Sequence, residues 1–225
     1  MTLEQIKENI INLHNELPTN VKLVAVSKFH PIETLQAAYD GGQRLFGESR
    51  AQEIGQKHTS MPNDVQWHFI GHLQSNKVRQ IVPYVSLIHS IDSEKLLRCV
   101  DSEANRIGRV VDVLLQLHVA QEATKFGLTI DECRSLVDKG IVDELKNVRI
   151  CGVMGMATNT EDTVEIGREF REIRRTYDIL KSTHFIDSDC FDIVSMGMSD
   201  DYHIAIAEGS TMVRIGTTIF GAREY

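Results

Sequence analysis

Strand-like and helix-like segments alternate along the whole sequence, and this alternation constrains the fold more than any other feature. Apolar runs with strand character lie at residues 22–26, 44–46, 66–70, 85–88, 110–119, 148–154, 191–194 and 211–215. Helical patterns occupy residues 32–40, 49–57, 93–106, 129–139, 160–181 and 200–208, and another begins near residue 75. Such alternation predicts βαβ units and a parallel sheet.

Eight such units in succession predict a closed (β/α)8 TIM barrel, an α/β fold. The length of 225 residues is near the lower end for this fold, which typically has about 250. Several runs are apolar at both odd and even positions, as the strands of a sheet covered on both faces must be. A doubly wound open sheet is the alternative. Its dinucleotide-binding version is disfavoured because no G-x-G-x-x-G follows the first strand.

No linker, low-complexity tract or block of like charge interrupts the sequence, so one domain is expected over residues 1–225. The net charge of −8 disfavours a general affinity for nucleic acid or for an anionic membrane. The N-terminal segment has the pattern of an amphipathic helix through Ile6, Ile10, Ile11 and Leu13, not that of a signal peptide.

The cysteines are four in number, widely spaced, and form no C-x-x-C pair. We therefore expect reduced thiols, buried or half-buried, in a protein of the cytoplasm. No apolar run of the sequence approaches the ~20 residues that a membrane span needs. Together these observations predict a cytoplasmic location.

Lys28 follows the first apolar run, which reads Leu-Val-Ala-Val-Ser from residue 23. Its ammonium could reach solvent just past the strand, as lysines often do. Alternatively, it is a desolvated amine at the barrel mouth that forms a Schiff base with a carbonyl compound. In a TIM barrel, the chemistry is carried by the carboxyl ends of the strands and the loops that follow.

The segments after the seventh and eighth strands carry the strongest signals for a ligand. Residues 195–201 are small, hydroxylated and glycine-containing, and they precede a helix. Exposed amides and hydroxyls in such a place suit a phosphate, although Ser199 as an ordinary helix N-cap explains the same pattern. Gly216 and Thr217 follow the eighth strand, and the loops after strands 7 and 8 often build a phosphate site in this fold.

Arg214 lies among the apolar residues of the eighth strand, so it needs a carboxylate or a ligand atom as a partner. Pyridoxal 5′-phosphate would satisfy all these groups, with its aldehyde on Lys28, its phosphate in the loops and its ring nitrogen facing Arg214. Because an arginine only donates hydrogen bonds, that nitrogen would stay unprotonated. The ring would then stabilise a carbanion less well than it does opposite an aspartate.

Five segments closely resemble the pyridoxal phosphate homeostasis protein family: VAVSKFHP, RLFGESRAQE, WHFIGHLQSNK, SMGMSDD and STMVRIGTTIFGAREY. The resemblance covers about residues 22–225 and implies a single-domain barrel like the N-terminal domain of alanine racemase. It also implies pyridoxal phosphate bound as an internal aldimine, without established enzymatic turnover. The implied role is intracellular cofactor homeostasis, in which a carrier or buffer keeps free cofactor low and supplies it, with pyridoxal-phosphate-dependent apo-enzymes as possible partners.

The resemblance also assigns residues. Lys28 matches the aldimine lysine, Arg214 matches the arginine that faces the ring nitrogen, and the phosphate-binding positions match Ser199, Gly216 and Thr217, with Ser195 a weaker candidate. The sequence departs from the family pattern at Ser49 and His118, where asparagine is usual or frequent, and at His72, where proline is usual. Lys125 keeps the family's K-x-G and is either a surface lysine or part of a second cofactor site.

The main rival hypothesis is a small racemase-like or lyase-like pyridoxal phosphate enzyme. Racemases of the resembling fold pair the lysine with a tyrosine from a second domain of the partner subunit. The sequence ends at Tyr225, directly after the eighth unit, and no other tyrosine lies at a predicted strand end. We therefore expect a monomer without catalytic residues. A Schiff-base aldolase that needs no cofactor is a third possibility, but it has less use for an inward arginine.

Two further groups near the strand ends have simple explanations. Glu48 could act as a general base, but an ion pair or cap for the following helix is favoured. Histidines occur at positions 68, 72, 89 and 118. A metal site is not expected, because Gly71 separates the first two and the other two have no obvious carboxylate partner in the sequence.

Overall fold

The computed structural model describes residues 1–121 and 126–222. Eight parallel strands form a closed barrel in chain order, and β8 pairs with β1. The strands are β1 Lys22–Val26, β2 Leu45–Glu48, β3 Gln66–Phe69, β4 Val85–Ile91, β5 Val111–Leu117, β6 Val148–Gly155, β7 Ile193–Ser195 and β8 Met212–Ile215. The predicted TIM barrel is confirmed, and the closure excludes the open doubly wound sheet.

Helices connect the strands around the outside of the barrel. They are α1 Leu3–Glu16, α2 Ile32–Asp40, α3 Ala51–His58, α4 Val78–Ile81 after a 3-10 turn at Ser75–Lys77, α5 Glu94–Arg106, α6 Ile130–Asp138, α7 Ile141–Glu144, α8 Thr163–Thr183, α9 Tyr202–Ala207 and α10 Thr217–Phe220. Helices α7 and α10 were not predicted. Each has four residues, which is about one turn and too short to display a helical period.

Helix α1 is amphipathic, as its sequence predicts. A capping box between Thr2 and Gln5 starts the helix and satisfies backbone N–H groups of the first turn. Ile6 and Ile10 are buried in the apolar cluster between the helices and the barrel. Ile11 is 41% exposed, so its assignment to the buried stripe was wrong; it lies on the solvent side of the helix.

The barrel interior is layered. An apolar layer includes Leu87 of β4, Leu114 of β5 and Met212 of β8. Two residues further along the same strands, the inward positions are polar and buried, and they include His89 and Arg214. Since side chains alternate with period two along a strand, this arrangement brings polar groups together near the carboxyl ends. The candidate site therefore lies at the carboxyl ends of the strands, directly above the apolar layer of the barrel interior.

The four cysteines are free thiols, with Cys133 and Cys151 buried and Cys99 and Cys190 half-buried, as predicted. Burial raises the pKa of Cys133 to about 12, so this thiol is an inert part of the core. Among the described residues, no helix has the length and apolar character needed to cross a membrane.

Candidate functional site

Arg214 is the central cation of the barrel interior. It lies on β8 in register with Val24 of β1, and it is only 4% exposed. Its Nη1 donates to the carbonyl and the hydroxyl of Ser195 at 2.8 and 2.7 Å, and its Nη2 donates to the Gly155 carbonyl at 3.0 Å. Within the described chain these bonds use three of the five guanidinium N–H groups, so two can serve a ligand atom.

These partners refine the sequence prediction, which expected a carboxylate or a ligand atom beside Arg214. The structure instead places two backbone carbonyls, from the ends of β6 and β7, and one hydroxyl around the guanidinium. Burial lowers the pKa of Arg214 to about 10, and the charge of Asp201 opposes that change. The side chain is therefore still a cation at neutral pH, held rigidly by strand ends.

A chain of hydrogen bonds continues from Arg214 across the barrel. The Ser195 Oγ lies 3.0 Å from Nδ1 of His89, and Nε2 of His89 lies 3.0 Å from Nδ1 of His68. The arginine can only donate to Ser195, so the serine proton is available for His89 Nδ1. In that tautomer His89 donates from Nε2 to His68. Ser195 and the two histidines thus form one continuous chain of hydrogen bonds with the guanidinium.

Both histidines of this chain are neutral. Burial, with a smaller contribution from the charge of Lys22, lowers the pKa of His68 to about 3. Burial also lowers the pKa of His89 well below its ordinary value, and the charges of His68 and Arg214 act in the same direction. The sequence placed these histidines near strand ends but did not indicate that they form a relay. Like Arg214, both histidines occupy inward-facing positions of their strands, and this alternation is the sequence signal from which their proximity could have been predicted.

Lys28 lies in the turn after β1, two residues beyond the last strand residue, Val26. Its side chain is half-buried. Since the strands are parallel, this turn emerges at the same end of the barrel as the loops after β7 and β8. The structure therefore brings Lys28 to the mouth of the barrel, at the end where Arg214 closes the interior.

The loops after β7 and β8 touch each other and the end of β1. The Gly216 N–H donates to Ser199 Oγ at 3.3 Å, and the Arg214 N–H donates to the Gly197 carbonyl at 3.0 Å. A Cβ on Gly216 would lie 3.2 Å from the Cβ of Val26, which is tighter than ordinary contact. Glycine at position 216 therefore allows the loop to approach β1 closely.

The predicted phosphate residues occupy different environments. Ser199 and Gly216 are in contact, and Thr217 is exposed at the start of α10. Ser199 is not an N-cap, because α9 begins at Tyr202 and Asp201 is its N-cap. Ser195 is fully buried, and its hydroxyl is bonded to Arg214 and His89. Its role as a phosphate contact stays a prediction, and its observed partners connect it to the arginine.

Glu48 ends β2 and is completely buried. Its Oε1 accepts from the Ser27 hydroxyl at 2.6 Å and from Lys57 Nζ at 2.7 Å. The prediction of an ion pair with the following helix is thus confirmed, since Lys57 lies on α3. Within the described chain its Oε2 has no partner. Burial raises the pKa of Glu48 to about 7, and the bonds from Lys57 and Ser27 limit that rise.

Replacing Glu48 by glutamine should remove one contribution to the pH dependence of stability. The native carboxyl, with its pKa raised from 4.5 to about 7, binds a proton more tightly than the unfolded chain does. The contribution of Glu48 to stability therefore falls as pH rises from 4.5 to 7, by roughly 3 kcal/mol in total. Denaturant unfolding at several pH values should show that the stability of Glu48→Gln relative to the wild type increases by about this amount across the range. A difference between the two proteins that does not change with pH would contradict the assignment.

The three departures from the family pattern lie near the mouth. A Cβ on Gly71 would approach the Ser49 carbonyl to 2.6 Å, so the loops after β2 and β3 are in close contact at Ser49. The His72 ring pairs with Asp92 at 3.2 Å and stacks on Phe126 at 3.6 Å. His118 directly follows β5, and its N–H donates to the Leu128 carbonyl at 2.8 Å. Lys125 lies outside the described residues.

The histidines at strand ends are not arranged as metal ligands in the described part of the chain. His68 faces the barrel interior and bonds to His89, whereas His72 pairs with Asp92. Across residues 1–121 and 126–222, no three histidine, cysteine or acidic side chains lie close enough together to hold a metal ion.

The fold and the layered site define a class of protein. Residues 1–224 match the family model of the alanine racemase N-terminal domain. An alanine racemase from E. faecalis aligns with a TM-score of 0.71 at 17% identity, covering 99% of this chain and 59% of the racemase. The chain is therefore a barrel of the alanine racemase N-terminal-domain class.

Within that class, the chain belongs to the pyridoxal phosphate homeostasis protein family, and the resemblance seen in the sequence is confirmed. The family member of Schizosaccharomyces pombe is 40% identical over 208 residues, covering 91% of this chain and 85% of the relative. The family member of Aquifex aeolicus is 37% identical over 205 residues, covering 91% of this chain and 88% of the relative. The structure of PipY of Synechococcus elongatus with PLP bound aligns with a TM-score of 0.86 at 35% identity, covering 96% of this chain and all of PipY.

Proposed function

We propose that this chain binds pyridoxal 5′-phosphate covalently through a Schiff base on Lys28 and acts in intracellular homeostasis of that cofactor. In this role it is a carrier or buffer, without catalytic turnover. We further propose one cofactor-binding domain over residues 1–225, a monomeric state and a cytoplasmic location, with pyridoxal-phosphate-dependent apo-enzymes as recipients. The structure of PipY with PLP bound supports the choice of ligand.

The observation that carries the proposal is the environment of Arg214. A buried cation on the inner face of β8 keeps two N–H groups for a ligand atom, and its other bonds hold it rigid. An acceptor nitrogen of a flat heteroaromatic ring suits such donors. Because an arginine only donates hydrogen bonds, a ring nitrogen bound at the mouth would have to be the acceptor.

The remaining residues fit the other end of the same ligand. Ser199 Oγ and the Gly216 N–H are already in contact, and the exposed Thr217 hydroxyl lies next in sequence. These donors suit a phosphate dianion. We propose that Ser195 contributes indirectly, by holding Arg214. The Lys28 amine would form a C=N bond to the aldehyde carbon, with the aldehyde oxygen leaving as water. The bound group would supply the electron sink of its ring.

A role in holding the cofactor, not in turnover, agrees with two features. Arg214 leaves a ring nitrogen without a proton, which weakens stabilisation of a carbanion. The described tyrosines are used elsewhere: Tyr39 donates to Asp64 at 2.8 Å, Tyr177 to the Phe191 carbonyl at 3.0 Å and Tyr202 to Glu16 at 2.9 Å. Tyr84 packs against His58. None of these four can serve as a second acid at the mouth without leaving its site.

The test is spectroscopic. Purified protein incubated with pyridoxal 5′-phosphate and then freed of unbound cofactor should be yellow, and borohydride should abolish the visible band and leave a reduced adduct on Lys28. A protein that is colourless after removal of the unbound cofactor would refute the proposal. An amino-acid panel assayed for racemisation and decarboxylation should show no turnover. Turnover that disappears in Lys28→Ala would replace the carrier role by that of a small enzyme.

A further inference from the structure

Three ionisable side chains form hydrogen bonds with the residues on either side of Lys28 and with one another. Lys57 of α3 is 7% exposed and donates through Nζ to Glu48 Oε1 at 2.7 Å, to Glu53 Oε2 at 2.8 Å and to the Ser27 carbonyl at 2.9 Å. All three ammonium hydrogens are thus used. We call Glu48, Glu53 and Lys57 the brace.

The brace holds both neighbours of Lys28. On one side, the Ser27 carbonyl accepts from Lys57 and the Ser27 hydroxyl donates to Glu48 at 2.6 Å. On the other side, the Phe29 N–H donates to Glu53 Oε2 at 2.9 Å. Residues 27 and 29 are therefore both tied to one buried cluster. The backbone of Lys28, between them, has little freedom to change its direction.

Phe29 has an unfavourable backbone conformation in this turn. Its φ is +68°, and it is the one residue other than glycine in the described chain with a positive φ. A bulky side chain disfavours this left-handed region, so such a conformation persists only where neighbours enforce it. The bond to Glu53 enforces it through the backbone, and the Arg50 guanidinium lies 4.3 Å from the Phe29 ring centre.

Stability alone does not account for this cluster of ionisable side chains, of which Glu48 and Lys57 are buried and Glu53 is half-buried. Removing charges from water is costly, and well-packed apolar side chains of similar size often stabilise a core equally well. Directional contacts are what charged groups provide and apolar groups do not. Three of the five contacts end on Ser27 or Phe29, which flank Lys28, and the other two join Lys57 to Glu48 and Glu53.

We propose that Glu53 and Lys57 are positioning residues for the Lys28 amine. With Glu48 they hold the turn so that the amine points into the barrel mouth, and they do so without touching the ligand. This inference rests on the proposed function of Lys28. Without the brace, the turn relaxes from its left-handed conformation, and the amine spends less time aligned with an aldehyde whose phosphate and ring are already held.

The chain offers a matched set of variants. Glu53→Ala removes the acceptor for Phe29, whereas Glu53→Gln keeps an acceptor oxygen without the charge. Glu132 is the control, because it is the third residue of α6 as Glu53 is of α3, and it accepts a backbone N–H from Thr129 at 2.8 Å. Glu132→Ala thus loses a bond of the same kind far from the turn. Lys57→Met removes the cation and keeps much of the side-chain volume.

Two ligands separate positioning from binding. The rate of Schiff-base formation with pyridoxal 5′-phosphate is followed by stopped-flow absorbance, and the affinity for pyridoxine 5′-phosphate, which has no aldehyde, is measured by calorimetry. We expect Glu53→Ala and Lys57→Met to slow adduct formation about ten- to a hundredfold, as a misdirected nucleophile does. Pyridoxine phosphate affinity should stay within about twofold in both, and Glu53→Gln and Glu132→Ala should react at nearly the wild-type rate.

Each outcome decides between the hypotheses. An unchanged rate in Glu53→Ala or in Lys57→Met would overturn this inference and leave the proposed function intact. So would an equal loss of rate and of pyridoxine phosphate affinity, since that pattern denotes a general collapse of the site. If one of the two variants fails to fold, the other carries the comparison. A wild-type protein that forms no borohydride-reducible adduct on Lys28 would overturn the proposed function and this inference together.

Discussion

Lys28→Ala should abolish the covalent adduct with pyridoxal 5′-phosphate completely. An alanine has no amine to attack the aldehyde, and no rearrangement of the barrel can supply one at the same place. The residue lies in a turn after β1 and is half-buried, so removing its side chain should change the free energy of unfolding by no more than about 1 kcal/mol. Loss of the adduct would therefore not reflect loss of the fold.

The measurement is intact mass after borohydride reduction, followed by peptide mapping. Lys22→Ala provides a control, because Lys22 is the exposed first residue of β1, the strand that precedes the Lys28 turn. That variant should keep one reduced adduct per chain, on Lys28. An adduct found only on another lysine in the wild type would show that the mouth of the barrel is not the binding site.

The second large effect is a loss of stability at low pH that is due to His68. Because the native pKa of His68 is lowered from 6.5 to about 3, the unfolded chain binds a proton in this range and the folded chain does not. The contribution of the neutral imidazole to stability is complete above pH 6.5 and is lost as pH falls. The loss amounts to about 2 kcal/mol by pH 5 and roughly 5 kcal/mol by pH 3.

Comparing His68→Gln with the wild type isolates this contribution. The stability of the variant should fall less steeply than that of the wild type between pH 6.5 and 5. Denaturant unfolding across this range measures both slopes, and far-UV circular dichroism follows the transition. His203→Gln, at a histidine whose side chain is 70% exposed, should keep the wild-type slope. A wild-type slope in His68→Gln would mean that the buried chain of hydrogen bonds is protonated in the native state.

The acid effect and the Glu48 effect have opposite signs. His68 makes the wild type lose stability as pH falls below 6.5, whereas Glu48 makes it lose stability as pH rises from 4.5 to about 7. His89, whose pKa is also lowered by burial, acts in the same direction as His68. Glu48 therefore offsets part of the acid loss in the wild type between pH 4.5 and 6.5, and the single variants separate the contributions.

Local patterns of the sequence were sufficient for the barrel and for the positions of its mouth. The period of the apolar residues identified all eight strands, and parallel strands place every carboxyl end at one rim. That logic brought Lys28, Ser199, Arg214, Gly216 and Thr217 to one end of the molecule. The bounds of the elements were less accurate, as where β4 continues to Ile91 past a shift of register.

What holds those residues was not predictable from local patterns. Ser195 and His89 are 106 positions apart in the sequence, and Arg214 and Gly155 are 59 apart, so no spacing reveals their bonds. In the brace, the i,i+4 pair of Glu53 and Lys57 is visible in the sequence, but its bond to the turn after β1 is not. Such contacts depend on which side chains the closed barrel brings within hydrogen-bond distance.

The sequence by itself determined the fold, the family and the residues at the barrel mouth, because these follow from periodicity and from motifs that are contiguous along the chain. Only the tertiary structure decided that Arg214 is held by strand carbonyls and a neutral histidine relay, and that a buried cluster of charges holds the Lys28 turn. Burial sets those properties, since it shifts proton equilibria and makes an unpaired polar group costly. Burial is known only once the barrel is closed.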